Sequence, residues 1–196
     1  MADLDENYWS ERYRNASTGW DIGFPSPPIV QYLDQIENKE VEILIPGAGN
    51  SYEASYAFKK GFSNVNILDL SREPLNNFKR ANPEFPDSQL HHEDFFLHMH
   101  QYDLILEQTF FCAIDPRLRE KYVTKMHELL KPGGKLVGVL FNRHFDFQGP
   151  PFGGDMEEYQ LLFSKKFKVE CLETCYNSIP QRQNSEVFII MKKSNS

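Results

Sequence analysis

Two features of the sequence can do chemistry together. The turn Gly47-Ala48-Gly49 follows the apolar run Val41 to Ile45, and Asp69 ends a second apolar run 20 residues after Gly49. A glycine-rich turn between a strand and a helix lets a ligand approach the backbone where a Cβ would collide. A carboxylate at the tip of the next strand can accept hydrogen bonds from both hydroxyls of a ribose. The alternative is an ordinary strand-to-helix turn with a solvated aspartate. Asp94-Phe95 extends the first reading. An acid after the third strand can accept an adenine amine while the neighbouring ring packs on the base, although the same pair also suits a helix cap and a core phenylalanine. Glu107 ends a fourth apolar run, on the ligand-bearing edge of such a sheet. There it can meet an ammonium group or cap a loop.

Dinucleotide enzymes share the turn and the acid, so the third position of their glycine pattern matters. A pyrophosphate asks for Gly-x-Gly-x-x-Gly, the last glycine packing the helix closely behind the phosphates. Tyr52 stands there instead. A sulfonium nucleoside has no pyrophosphate and makes no such demand, so S-adenosyl-L-methionine is favoured over a nicotinamide cofactor.

These residues need a frame, and the pattern along the chain supplies one. Strand-like runs at Val41–Ile45, Val65–Leu70, Gln89–His92, Tyr102–Glu107 and Lys135–Phe141 alternate with helical periods. That order predicts β-α units around a mainly parallel sheet. Ser71 is placed to cap one helix. Asp115-Pro116 is expected to open a long helix, stopped at Lys131-Pro132-Gly133-Gly134. Lys168–Cys175 and Glu186–Met191 are expected to form a terminal antiparallel pair. The chain is read as one domain over residues 1–196, with a helical arm through about residue 37 that closes over the site.

Composition narrows the function classes. With 40% hydrophobic and 25% charged residues, the chain has the make-up of a folded globular protein. The net charge is −7 and the basic residues are scattered, which argues against a nucleic-acid partner. No apolar stretch reaches membrane-spanning length, and the acidic start at Met1 to Glu6 does not resemble a signal peptide. Cys112, Cys171 and Cys175 lack metal-ligand spacing and read as packing thiols of a reducing, cytoplasmic compartment. His91-His92 and His98-x-His100 could place ligands near one another, but adjacent strand residues point to opposite faces, so His91 and His92 do not share an ion and no metal is expected. No apolar stripe is left over, which points to a monomer.

The N-terminal blocks Tyr8-Trp9-Ser10-Glu11-Arg12-Tyr13 and Thr18-Gly19-Trp20-Asp21-Ile22-Gly23 resemble the thiopurine S-methyltransferase family. So do Ile45 to Gly49, Glu107 to Pro116, and Gly149-Pro150-Pro151-Phe152. The Glu107-Gln108-Thr109-Phe110-Phe111 run is most similar to its halide, thiocyanate and thiol branch; Gln108 replaces the arginine of the animal thiopurine enzymes. The resemblance implies a three-layer, Rossmann-like class I methyltransferase fold: a seven-stranded, mostly parallel sheet with an antiparallel last strand. It also implies methyl transfer to a small soft nucleophile. On that reading Trp9, Trp20, Gly47, Ala48, Gly49, Asp69, Leu70, Asp94, Phe95 and Glu107 bind the cofactor.

A soft anion needs no strong base, so no acid or base residue is assigned. The acceptor pocket should be aromatic, because aromatic faces attract a sulfonium and apolar walls strip water from the nucleophile. Trp20, Phe24, Phe110, Phe111, Phe141 and Phe152 are the candidates, and at 14% aromatic content half or more of them belong to the core. Arg143 can draw in an anionic acceptor. The competing classes are a nicotinamide oxidoreductase and a silent cofactor-binding protein.

Overall fold

The computed structural model describes residues 4–194, so the first three residues of the expected arm and the last two of the chain lie outside it. Strands β1 (Ile43–Pro46), β2 (Val65–Asp69), β3 (Leu90–His92), β4 (Tyr102–Gln108) and β5 (Leu130–Phe141) run parallel. β7 (Glu186–Lys192) inserts antiparallel between β5 and β6 (Lys168–Thr174). The spatial order is β3-β2-β1-β4-β5-β7-β6. The fold is thus the seven-stranded α/β sheet with a reversed last strand.

Strand side chains alternate between faces, and the two cores follow that period. Leu44, Leu68, Ile105 and Leu136 pack against α5 (Arg119–Leu129) and α6 (Met156–Phe163). Ile43, Ile45, Ile67, Leu104, Leu106 and Val137 pack against α2 (Pro27–Asp34), α3 (Tyr52–Lys59) and α4 (Arg72–Ala81). Two helical layers therefore cover one sheet. From β1 the chain winds outward to β2 and β3, then crosses back to β4 beside β1. Such a reversal opens a crevice at the carboxyl ends of the two central strands.

Two boundaries differ from expectation. Asp115 caps a short 3-10 turn, Pro116–Leu118, and α5 begins only at Arg119. α5 ends at Leu129, just before the expected stop, and Lys131-Pro132-Gly133-Gly134 lies within β5, which the chain enters at Leu130 with no intervening loop. Gly133 bends that strand with φ 79°, and Lys131 reaches back to Glu42 and Asp103. Among the described residues no helix is long and apolar enough to cross a membrane.

Candidate active site

A cavity of about 800 Å³ opens at the crevice, between the carboxyl ends of the strands and the N-terminal helix α1 (Glu6–Arg14). At one end lie Gly47, Asp69, Leu70, Asp94 and Phe95. Asp69 is 7% exposed, and each of its oxygens already accepts one backbone hydrogen bond. Gly49 N–H donates to Oδ2 at 2.9 Å and Ser71 N–H to Oδ1 at 2.8 Å. The carboxylate thus braces the glycine turn and keeps a free lone pair on each oxygen for two further donors. Burial pushes its pKa up from 3.8 to about 6, against those two hydrogen bonds and nearby His92.

Asp94 is both a cap and a wall. Its Oδ1 accepts from Phe96 N–H at 2.8 Å, leaving Oδ2 for the cavity. Phe95 is 4% exposed and packs edge-on to Phe110 at 5.1 Å. The glycines act differently from the sequence argument. Gly47 (φ 56°) is bare because a Cβ would enter the Phe110 ring, and Gly49 (φ 54°) because one would lie 2.9 Å from Tyr13 Oη. The turn makes room for the protein's own aromatic walls.

The arm forms the roof. Trp9 and Trp20 meet edge-on at 5.6 Å, and Tyr13 meets Trp20 at 5.8 Å. α1 is fastened beside Asp69 by a buried Ser10–Ser71 hydroxyl pair and by Arg14–Glu73 and Glu6–His92 contacts. Tyr8, Arg12 and Tyr13 also line the cavity. They lie inside the N-terminal block that carries the resemblance, yet only its tryptophan had been singled out.

Glu107 is a correction. It is fully buried and does not face the cavity. Its Oε1 accepts from the N–H groups of Phe110 and Phe111 at 2.8 and 2.9 Å, and Oε2 accepts from the Tyr122 hydroxyl. With no water to solvate the charge, its pKa rises to about 7. It is a loop cap, and the next residue faces the ligand side. Gln108, Ser51, Ala48, Gly49 and Phe24 line a small recess beside the turn. There Ser51 Oγ and Gln108 Oε1 are buried polar atoms without a protein partner. A hydroxyl and an amide oxygen are suited to a carboxylate and an ammonium group, so this recess fits the amino-acid end of adenosylmethionine.

Residues 4–194 match the thiopurine S-methyltransferase family. The chain belongs to that family. A thiocyanate methyltransferase of Arabidopsis thaliana is 30% identical over 98% of this chain and 87% of its own length. A thiopurine S-methyltransferase of Vibrio parahaemolyticus is 26% identical over 86% and 85%. In fold, the chain is similar to the 1,6-didemethyltoxoflavin N1-methyltransferase of Burkholderia thailandensis, crystallised with S-adenosylhomocysteine. That likeness has a TM-score of 0.77 at 15% identity, over 96% of this chain and 87% of the other. This family member is therefore an S-adenosyl-L-methionine-dependent methyltransferase, not a nicotinamide enzyme.

Phe110 stands between the glycine turn and the rest of the methyltransferase cavity, which is lined further by Phe141, Arg143, Phe145 and Arg182. Arg143 stacks over Phe145 at 4.8 Å. Arg182 lies over Phe141 and donates to the Trp20 carbonyl at 2.9 Å. Three expected pocket residues lie elsewhere. Phe111 is 1% exposed, packed among Tyr122, Tyr159 and Phe163 in the core. Phe152 turns away, with its N–H on the Cys112 carbonyl, while Pro150 and Pro151 of the same block line the cavity. Phe24 is 47% exposed at the small recess. Arg182 has no local signal, since it ends the short 3-10 turn Pro180–Arg182, 162 residues from its partner Trp20.

Proposed function

We propose that this methyltransferase acts on a small, soft, anionic nucleophile, of the thiolate, thiocyanate or halide kind. One observation carries the reading. Among the described residues, no histidine, lysine or glutamate lines the cavity; of its aspartates, Asp69 and Asp94 stand beside the glycine turn and Phe95, and Asp115 is tied bidentately to Arg117. A neutral hydroxyl or a protonated amine needs a proton removed for attack; a soft anion arrives without one. Arg143 and Arg182 supply positive charge at the acceptor end, and Phe110, Phe141 and Phe145 supply apolar walls that strip water from the anion. The relatives named for thiocyanate and thiopurine acceptors support the same class.

When bound, the cofactor supplies a methyl group on a positively charged sulfur. The chain's own work is holding and aligning. Asp69 accepts the ribose hydroxyls, Asp94 Oδ2 the adenine amine, and Phe95 and Leu70 pack the base. Ser51 and Gln108 take the amino-acid end, and Trp9, Trp20 and Tyr13 close over the sulfonium. Alignment of two bound partners is worth roughly 7–11 kcal/mol in favourable cases, enough to make a positioning enzyme effective. The test is turnover with labelled cofactor against thiols, thiopurines, thiocyanate, iodide and selenium or tellurium oxyanions. A preference for oxygen or nitrogen acceptors refutes the proposal.

A further inference from the structure

The β3 edge of the sheet carries a cluster that methyl transfer does not use. His91, Glu93 and His98 each offer one donor atom, and the three atoms lie within 4.8 Å of one another. His91 stands on β3 and His98 ends the 3-10 turn Phe95–Leu97, with the two rings 5.0 Å apart. The pairing was not expected from sequence, where His91 was weighed only against its neighbour His92. We propose that these three side chains bind one divalent ion of the zinc type.

Both imidazoles are oriented for it from behind. His91 Nε2 lies 2.9 Å from Asn66 Oδ1, an oxygen that only accepts. Nε2 therefore carries the proton, and Nδ1 keeps its lone pair on the side of Glu93, 4.0 Å away. His98 is 4% exposed, with Nε2 2.7 Å from Tyr102 Oη and Nδ1 2.7 Å from Glu93 Oε1. Without an ion Nδ1–H donates to Glu93; with one bound the neutral ring takes its other tautomer, the proton sits on Nε2 facing the Tyr102 hydroxyl oxygen, and Nδ1 is free to ligate. A remote-nitrogen partner of this sort orients metal-bound histidines generally.

Two neutral imidazoles and one carboxylate are the donor set of zinc and its neighbours, whereas calcium and magnesium take oxygen. Metal–ligand bonds of about 2.1 Å place tetrahedral donors about 3.4 Å apart, so the set closes by at most about 1.4 Å. The wider gap is between the two imidazoles, so the part-exposed His91 ring must swing inward while Glu93, with a side chain 40% exposed, shifts slightly off His98 and leaves a fourth position to water. The site would also act on the cavity. Glu93 precedes Asp94, and His98 N–H bonds the Phe95 carbonyl at 3.3 Å. An ion here fastens the cofactor-facing turn to β3 from outside.

The experiment titrates the full, chelator-treated chain with Zn²⁺ alone by calorimetry, and with Co²⁺ by visible absorption. The expected result is one saturable equivalent, a tetrahedral cobalt spectrum and a raised melting temperature. His91→Gln and Glu93→Gln, at partly exposed positions that avoid the buried His98–Tyr102 pair, should each abolish that equivalent. Asn66→Ala should weaken it about 10–100-fold. His144→Gln, at an exposed histidine elsewhere, should leave it unchanged. No saturable binding by the unaltered chain overturns the proposal, as does binding that survives in both ligand variants.

Discussion

Lowering the pH from 7.5 to 5 should weaken adenosylhomocysteine binding about elevenfold through Asp69. The carboxyl has a pKa of about 6 in the free protein because it is buried, and the backbone N–H groups that hold it, chiefly those of Ser71 and Gly49, offset that only in part. Ribose hydroxyls donating to both oxygens favour the charged form. If only that form binds well, the apparent Kd rises by 1 + 10^(6 − pH). That is about twofold at pH 6 and elevenfold at pH 5, or about 1.4 kcal/mol. Folding without cofactor shows the opposite trend. An acid raised from 3.8 to about 6 stays protonated in the folded chain while it ionises in the unfolded one. Stability contributed below pH 3.8 is thus lost as pH rises to 6, by roughly 3 kcal/mol. Titration calorimetry in buffers of different ionisation heat measures both affinity and protons released. Close to one proton should leave at pH 5 and almost none at 7.5. His92→Gln separates the neighbouring imidazole, which also acts on Asp69. An affinity flat from pH 5 to 8, with no proton release, refutes the reasoning.

Four substitutions at three positions test the loop cap, the turn and the acceptor end. Glu107→Ala removes the acceptor of two backbone N–H groups and a buried hydroxyl, and should cost about 3–5 kcal/mol in urea unfolding. Glu107→Gln keeps Oε1 for both N–H groups. It should also abolish the loss of stability, roughly 3 kcal/mol, that the native carboxyl causes as pH rises from 4.5 to about 7; an unchanged pH profile would place the titration elsewhere. Gly47→Ala forces a left-handed alanine into the Phe110 ring. Its backbone cost alone is about 1–2 kcal/mol, read as a lower denaturation midpoint. Arg182→Met frees the Trp20 carbonyl and removes a cation from the acceptor end, so KM for an anionic acceptor and Kd for adenosylhomocysteine should both rise. A rise in KM alone would show that the arm closes without this bond.

Much of the frame was legible because its causes are local. The apolar strand-like runs, the helix stops and the 20-residue step from Gly49 to Asp69 report strand, turn and strand within one β-α-β unit. What failed was facing. Consecutive strand residues point to opposite sides, so a sequence places an acid at the tip of β4 but does not say which neighbour meets the cavity. Tyr122 on α5 decides it, by drawing Glu107 to the α5 side and leaving Gln108 at the recess. Phe111 was misassigned for the same reason: the rings that bury it come from α5 and α6, up to 52 residues away.

Arg182 shows how far that dependence reaches. Trp20 packs on Trp9 and Tyr13, the roof of the cofactor end, while its carbonyl is held by an arginine lining the acceptor end. Arg182 is itself steered by Glu186 at the start of β7, 3.5 Å away, and by the Phe141 face at the end of β5. The reversed strand β7 thus brings the loop before it back to the crevice, where it meets the arm. Closing the arm and completing the acceptor wall share one hydrogen bond. A cofactor-bound arm should therefore favour the acceptor site, and the coupling must be reciprocal if it is one of binding free energies.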